Sequence, residues 1–140
     1  MPLITGTITR DGAAIDALVG PAIPPQVHQP KRTSLPIRAV LDTGAAVTGV
    51  SRRLLKSLGL AAIDSIQIRV PVGPTQIADR FRIRLAFVSG GTRLDFADIL
   101  VIAADCFAEH EELQALIGRD VLNHCTFQYW GTVNEFQFSY

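Results

Sequence analysis

The segment Ile37-Arg38-Ala39-Val40-Leu41-Asp42-Thr43-Gly44-Ala45-Ala46 decides how the rest of the chain is interpreted. Residues 39–41 form an unbroken apolar run, which is typical of a buried strand. The strand ends at Asp42, and burying a carboxylate is costly unless it is hydrogen-bonded or shares a proton. Asp42 is therefore either tied up structurally or kept for chemistry. Thr43 adds a hydroxyl and Gly44 lets backbone N–H groups approach the acid, so both favour chemistry.

A second segment, Ala115-Leu116-Ile117-Gly118-Arg119-Asp120-Val121-Leu122, lies well downstream. Asp-Thr-Gly alone recurs by chance in many loops. Followed by an apolar-apolar-Gly segment and a short helix that opens with Arg-Asp, it resembles the retropepsin-like aspartic proteases. The resemblance covers residues 37–138, in the order acid turn, helix, β-rich middle, apolar-apolar-Gly segment and final hairpin.

The resemblance implies a mainly β fold, a single-lobe acid-protease (retropepsin-like) closed barrel with one or two short helices that works as a homodimer. In this family one chain supplies one Asp-Thr-Gly turn, and the site forms when two chains pair around a two-fold axis. The sequence contains one Asp-Thr-Gly and no Asp-Ser-Gly, so a two-lobed enzyme on a single chain is disfavoured.

The resemblance also implies the chemistry. Asp42, Thr43 and Gly44 are the expected catalytic residues, with Thr43 bridging to the opposite turn and Gly44 presenting its N–H to Asp42. Two Asp42 carboxylates held close together share one proton, an effect whose standard example is the aspartic-protease dyad. The pair would activate a water to attack a peptide bond of an extended polypeptide, with no metal and no cofactor.

Substrate contacts are expected from two regions. Ala45 and Ala46 follow the acid, and the hairpin 66–87 is expected to be a flap that excludes water when it closes. Its expected tip is formed by Val72, Gly73 and Pro74.

Structural support is expected from the second segment. Gly118, Arg119 and Asp120 should hold the acid turn, and a structural role for Arg119 is favoured over a catalytic one, with its acceptor left open.

An aspartic endopeptidase is the leading hypothesis, and two departures from the retroviral pattern motivate an alternative to it. Pro71 and Pro74 flank Gly73 where retroviral members carry a glycine-rich tip, and Ala46 and Val47 stand where those members often have acidic residues. The alternative is a catalytically inactive retropepsin-like module for dimerisation or peptide binding. A third possibility makes Asp42 a capped turn residue in an unrelated β-barrel, which the second segment argues against.

The chain of 140 residues is expected to form one domain over 1–140. Alternating residues predict an N-terminal hairpin over 3–19, and five prolines predict an exposed loop over 21–36. The protease-like core then spans 37–138. Within it, residues 51–59 have the leucine spacing of a short helix that ends at Gly59.

Composition limits the partners. Thirteen basic and thirteen acidic residues balance, so no net field favours nucleic acid or an anionic membrane. No stretch approaches the roughly 20 apolar residues of a membrane-spanning helix, and the N-terminus does not resemble a signal peptide, so a cytoplasmic protein is expected.

The arginines of the hairpin are interpreted as a solvated face; they are Arg69, Arg80, Arg82 and Arg84.

Cysteine and histidine do not indicate a metal site. Cys106 and Cys125 are too few for a disulfide framework or zinc site, and buried reduced thiols are expected. The segment Glu109-His110-Glu111-Glu112 has no second ligand cluster to complete a coordination shell.

Overall fold

The computed structural model describes residues 3–23, 34–105, 107 and 112–140. Within these residues the strands are β1 (Leu3–Thr9), β2 (Gly12–Pro21), β3 (Leu35–Leu41), β4 (Gly49–Ser51), β5 (Asp64–Ile68), β6 (Gln76–Ser89), β7 (Thr92–Ala104), β8 (Leu113–Ile117), β9 (Thr126–Trp130) and β10 (Glu135–Ser139). The helices are α1 (Arg52–Ser57) and α2 (Arg119–Leu122).

Six of the strands close into a barrel. Their order is β2-β6-β7-β4-β8-β3, and β3 pairs again with β2 to complete the ring. Strand β6 shows why this sequence forms such a wall, because Phe81, Ile83 and Leu85 are buried while the arginines between them point outward. The mainly β, closed-barrel fold with short helices is therefore confirmed.

The topology brings the two motif segments to the same edge of the barrel. Strands β3 and β8 run parallel, and Leu41 at the end of one pairs with Ile117 at the end of the other. The Asp42 N–H donates to the Ile117 carbonyl at 2.9 Å. Because the carboxyl ends of parallel strands lie side by side, the acid turn and the Gly118 turn emerge together.

The N-terminal strands separate soon after their turn. Strands β1 and β2 pair only at Ile8–Ala13 and Thr9–Gly12. Over residues 3–7, strand β1 lies outside the barrel and pairs with β10, which pairs in turn with β9. The residues predicted as one hairpin thus link the barrel to a three-stranded sheet made with the C-terminal strands.

The hairpin predicted over 66–87 is paired over a shorter span. Strand β5 pairs with the first five residues of β6, from Asp64–Arg80 to Ile68–Gln76. Beyond Arg80, strand β6 belongs to the barrel wall, where β2 and β7 flank it. We call residues 64–80 the flap hairpin, and its tip, residues 69–75, projects from the barrel.

The predicted loop over 21–36 is bounded by strands on both sides. Strand β2 continues to Pro21 and β3 begins at Leu35. These strand ends are paired in the barrel wall, where Leu35 lies opposite Val19 and Pro21 lies opposite Ile83. Residues 24–33 lie outside the described part of the chain.

Helix α1 forms where the leucine spacing predicts it. Leu54 and Leu55 are buried against the core, and Gly59 ends the helix with φ of 69°, a conformation that favours glycine. Ser51 precedes the helix as the last residue of β4, but its side chain makes no capping hydrogen bond. Neither helix in the described residues is long and apolar enough to cross a lipid bilayer.

The arginines on the outer wall are not a free basic stripe. Arg80 pairs with Asp64, Arg82 with Asp98, and Arg84 with Asp95. The hydrogen bond from Arg84 is the main reason why the pKa of Asp95 lies below its usual range, and Arg93 adds to this effect. These pairs neutralise the face, which agrees with the balanced charge of the chain.

Asp95→Asn is expected to lower the free energy of unfolding by about 0.5–1 kcal/mol at neutral pH, because a half-exposed ion-pair network is lost. The folded-state pKa of Asp95 lies below the unfolded-state value. The carboxylate therefore stabilises the fold above about pH 4, and this stabilisation is lost as the pH falls through the folded-state pKa. Urea denaturation across this pH range tests the prediction, with Asp11→Asn in the exposed β1–β2 turn as control. A difference from wild type that does not shrink in acid would contradict it.

Candidate active site

The acid turn holds one carboxylate at the rim of the barrel. Asp42 directly follows β3, and its Oδ1 accepts a hydrogen bond from the Gly44 N–H at 2.8 Å. The Asp42 carbonyl oxygen accepts a further bond from the Ala45 N–H at 3.3 Å. A Cβ at Gly44 would lie 3.0 Å from Asp42 Oδ1, so glycine gives the carboxylate its room. Asp42 is half-buried and Thr43 is exposed, so this turn faces outward.

Gly118 lets the second turn approach the acid turn closely. A Cβ at this position would lie 2.6 Å from the carbonyl carbon of Val47 and 3.0 Å from the carbonyl oxygen of Ala45. Both neighbours are backbone atoms, which cannot rotate away as a side chain can. The predicted supporting role of Gly118 therefore has a steric basis: only a residue without a side chain fits here.

Helix α2 is bonded to the acid turn through its first residues. The Arg119 N–H donates to the Ala45 carbonyl at 2.8 Å, and the Asp120 N–H donates to the Ala46 carbonyl at 3.3 Å. The Arg119 guanidinium donates from Nη1 to the Thr43 carbonyl at 2.8 Å. The sequence did not identify the acceptor of Arg119. In the structure, one acceptor is this backbone carbonyl rather than an acidic side chain.

Thr48 is a site residue that the sequence analysis missed. Its side chain is fully buried. Its hydroxyl donates to Asp120 Oδ1 at 2.7 Å and accepts the Gly118 N–H at 3.1 Å, while its own N–H donates to Asp120 Oδ2 at 2.9 Å. Asp120 thus binds the chain just after the acid turn. The only sequence signal that could have identified this residue was a single threonine between Val47 and the buried strand β4.

The expected substrate-contacting residues lie apart from one another in the single chain. Ala45 and Ala46 flank the carboxylate, whereas the flap tip stands free of the barrel, with Val72 90% exposed. Gly73 lies at the tip with φ of 113°. A cavity of about 340 Å³ lies at the root of the flap hairpin. Its lining includes Val47, Ile66, Arg80, Ile99, Asp120 and Val121.

Two further kinds of reactive group can be assessed in the described residues, a cysteine thiol and possible metal ligands. Cys125 is a free, half-buried cysteine, and burial raises the pKa of its thiol to about 11, so the thiolate is scarce at neutral pH. In the described residues no group of three histidine, cysteine or acidic side chains is placed to hold a metal ion. Cys106 and residues 109–111 of the histidine segment lie outside the described part.

Comparison with known proteins agrees with this arrangement. A family model described as "Aspartyl protease" matches residues 30–121. The structure is similar to that of a retropepsin-like aspartic protease from Rickettsia conorii, with 16% identity, a TM-score of 0.64, and coverage of 99% of this chain and 90% of that one. The simian foamy virus (mac) protease is also similar, with 14% identity, a TM-score of 0.48, and coverage of 79% and 91%.

No functionally curated protein matches the sequence. The barrel, in which β3 and β8 bring the Asp-Thr-Gly turn beside the Gly118 turn, has a retropepsin-like fold. The family match spans more than half of the chain, and the chain belongs to the aspartyl protease family.

Gly118→Ala is expected to lower the free energy of unfolding by about 2–3 kcal/mol, because the new Cβ would overlap backbone atoms of the acid loop. Chemical denaturation measures this loss. The control is Gly131→Ala, since the nearest atom to a Cβ there is a Tyr129 ring carbon at 3.5 Å. That variant should stay within about 0.5 kcal/mol of wild type. Equal effects at both positions would rule out a special constraint at Gly118.

Thr48→Val keeps the shape of the side chain but removes the hydroxyl, leaving the buried Gly118 N–H without its partner. We expect a loss of about 2–3 kcal/mol in unfolding free energy. Thr48→Ser keeps the hydroxyl and loses one methyl group, which costs about 1 kcal/mol. Thermal and urea denaturation of the two variants compare these losses. Finding the serine variant as unstable as the valine variant would show that the hydroxyl network contributes little.

Proposed function

We propose that this protein is an aspartic endopeptidase that hydrolyses peptide bonds of an extended polypeptide through a water activated by two Asp42 carboxylates, one from each subunit of a homodimer. The observation that carries this proposal is the Asp42 carboxylate, which Gly44 orients in an outward-facing turn at the barrel rim. One chain has one such turn, so a second copy of the chain is the natural source of the second acid.

The proposed chemistry follows from placing two like charges about 3 Å apart. Both carboxylates cannot then be ionised, so the pair retains one proton and titrates as a unit. The ionised member removes a proton from a bound water as it attacks the scissile carbonyl carbon. The protonated member donates to the carbonyl oxygen, and a proton then passes to the leaving amine as the C–N bond breaks.

Thr43 and Gly44 have separate roles in this proposal. The Gly44 N–H already donates to Asp42 Oδ1, which limits rotation of the carboxylate. Thr43 is exposed, so its hydroxyl is free to reach the acid turn of the partner subunit and hold the two carboxylates in register. Arg119 holds the Thr43 carbonyl at 2.8 Å and thereby fixes the backbone from which that hydroxyl projects.

The substrate is proposed to lie between the acid turn and the flap hairpin. The cavity beneath the flap has apolar walls from Ile66, Ile99 and Val121, with Asp120 at its edge, so it suits an apolar side chain of a bound peptide. Ala45 and Ala46 would line the peptide backbone. The flap tip, with Val72, Gly73 and Pro74, would close from above and exclude water.

Asp42→Asn tests the proposal. The wild-type protein should cleave an unstructured polypeptide between about pH 4 and pH 7, and the variant should be slower by about 10²-fold or more, because an amide cannot serve as the general base. Asp11→Asn, in an exposed turn on another part of the chain, is the matched control and should retain full activity. Cleavage products are measured by mass spectrometry.

The same variant tests whether the two acids act in one site. If both subunits contribute Asp42, adding an equal amount of Asp42→Asn protein should reduce the activity of a fixed amount of wild type to about half, because subunits mix at random. Unchanged activity would mean that each chain acts alone. Peptide binding without cleavage in the wild type would instead support the non-catalytic binding module.

A further inference from the structure

We infer that a second binding site lies at the end of strand β3 away from Asp42, and that it takes short apolar peptides whose two ends are free. The site is a cavity of about 550 Å³ between the start of β3, helix α1 and the residues that lead into β8. The peptide carboxylate pairs with Arg53, and the peptide ammonium pairs with Glu112. The inference goes beyond the proposed function and does not require it.

The course of the strands separates this cavity from the acid turn. Its lining includes Leu35 to Arg38 of β3, whereas Asp42 follows the last residue of that strand. At about 3.3 Å per residue, these four residues lie about 13–23 Å before Asp42 along the strand. Glu112 directly precedes β8, which runs parallel to β3 and ends beside it at Ile117. Both strands therefore lead away from the cavity and towards the acid turn.

The cavity has an apolar floor. Ile37 and Leu54 are each only 8% exposed, and Leu35 is partly buried. The volume lies within the roughly 300–1,000 Å³ of typical small-molecule sites, which are also lined mainly by apolar side chains. An apolar side chain of a ligand would be removed from water on this floor.

Two charged side chains at the rim are available to a ligand. Arg53 and Glu112 line the cavity and are exposed, and neither forms a salt bridge with another residue that the structure describes. Asp16 and Arg38 also line the cavity, but they are paired with each other at 2.9 Å. The rim thus offers one unpaired cation and one unpaired anion.

This combination selects a class of ligand by charge complementarity. An apolar floor with one positive and one negative group at its rim matches a zwitterion with an apolar body. A short apolar peptide with free ends has this chemistry. A fatty carboxylate would pair with Arg53 and leave Glu112 unmatched, and an internal segment of a polypeptide brings neither charged end. Short peptides with free ends are also what peptide-bond hydrolysis releases, so under the proposed function the protein would bind its own products here.

Titration with the tripeptide leucyl-alanyl-leucine tests the site. Amide signals in two-dimensional NMR spectra report both the dissociation constant and the place of binding. We expect the largest shifts at residues 35–38, 53–57 and 112–114, with the acid turn, residues 42–46, unaffected. The affinity should be the same for wild type and for Asp42→Asn, because Asp42 does not line the cavity.

Substitution of the two rim charges gives the matched variants. Arg53→Gln and Glu112→Gln should each weaken binding by about fivefold, because each removes one charge-assisted contact at an exposed rim. Lys56→Gln is the control, since Lys56 is an exposed cation on the same helix that does not line this cavity. Its affinity should stay within about twofold of wild type. Circular dichroism checks that all three variants fold.

Capping the peptide shows which end meets which residue. The C-terminally amidated tripeptide should bind wild type about fivefold more weakly, but should bind Arg53→Gln as well as the uncapped peptide does. The N-acetylated tripeptide should behave in the same way with Glu112→Gln. Full affinity in both variants, octanoate binding as tight as that of the tripeptide, or shifts confined to the acid turn would each overturn the inference.

The two proposals can fail separately. Tripeptide binding that depends on Arg53 and Glu112, in a protein that never cleaves polypeptide, would uphold this site and overturn the protease proposal. Cleavage of polypeptide without tripeptide binding at the cavity would do the reverse.

Discussion

The rest of the site depends on one close backbone contact, between the acid loop and the turn at Gly118. The two backbones approach so closely that a Cβ at Gly118 would lie 2.6 Å from Val47. Hydrogen bonds from Arg119 and Asp120 to the acid loop are possible because of this approach. Without it the Asp-Thr-Gly turn would lose these bonds to its backbone and would keep only its internal ones, such as the bond from the Gly44 N–H to Asp42.

The site is rigid on one side and open on the other. On one side, buried Thr48 and Gly118 and exposed Asp120 form a partly buried network whose hydrogen bonds join parts of the chain that are distant in sequence. On the other stands the flap hairpin, with a tip that makes little contact with the barrel. Catalytic sites commonly combine a fixed acid with a mobile cover, since positioning and substrate entry make opposite demands. Pro71 and Pro74, beside Gly73, lie in the exposed tip.

Much of the fold could be predicted from local pattern. Alternation of apolar residues identified the long strands, leucine spacing identified helix α1, and the two motif segments identified the barrel class. The ends of the strands were less predictable where tertiary pairing competes with local signals. Strand β2 runs to Pro21, inside the predicted loop, and β6 leaves the flap hairpin at Arg80 to join the barrel wall. Thr48 was missed because a lone threonine carries no periodic signal.

The sequence by itself determined which residues are the candidates for the chemistry, because Asp42, Thr43 and Gly44 are recognisable by their order along the chain. The tertiary structure decided the contacts through which the expected supporting residues hold them. The parallel pairing of β3 with β8 selects Gly118 as the neighbour of the acid loop, and the Thr43 carbonyl became an acceptor for Arg119 through contacts that sequence order does not reveal. It also decided that, among the described residues, β10 lies between β1 and β9, since strand neighbours depend on the path of the whole chain.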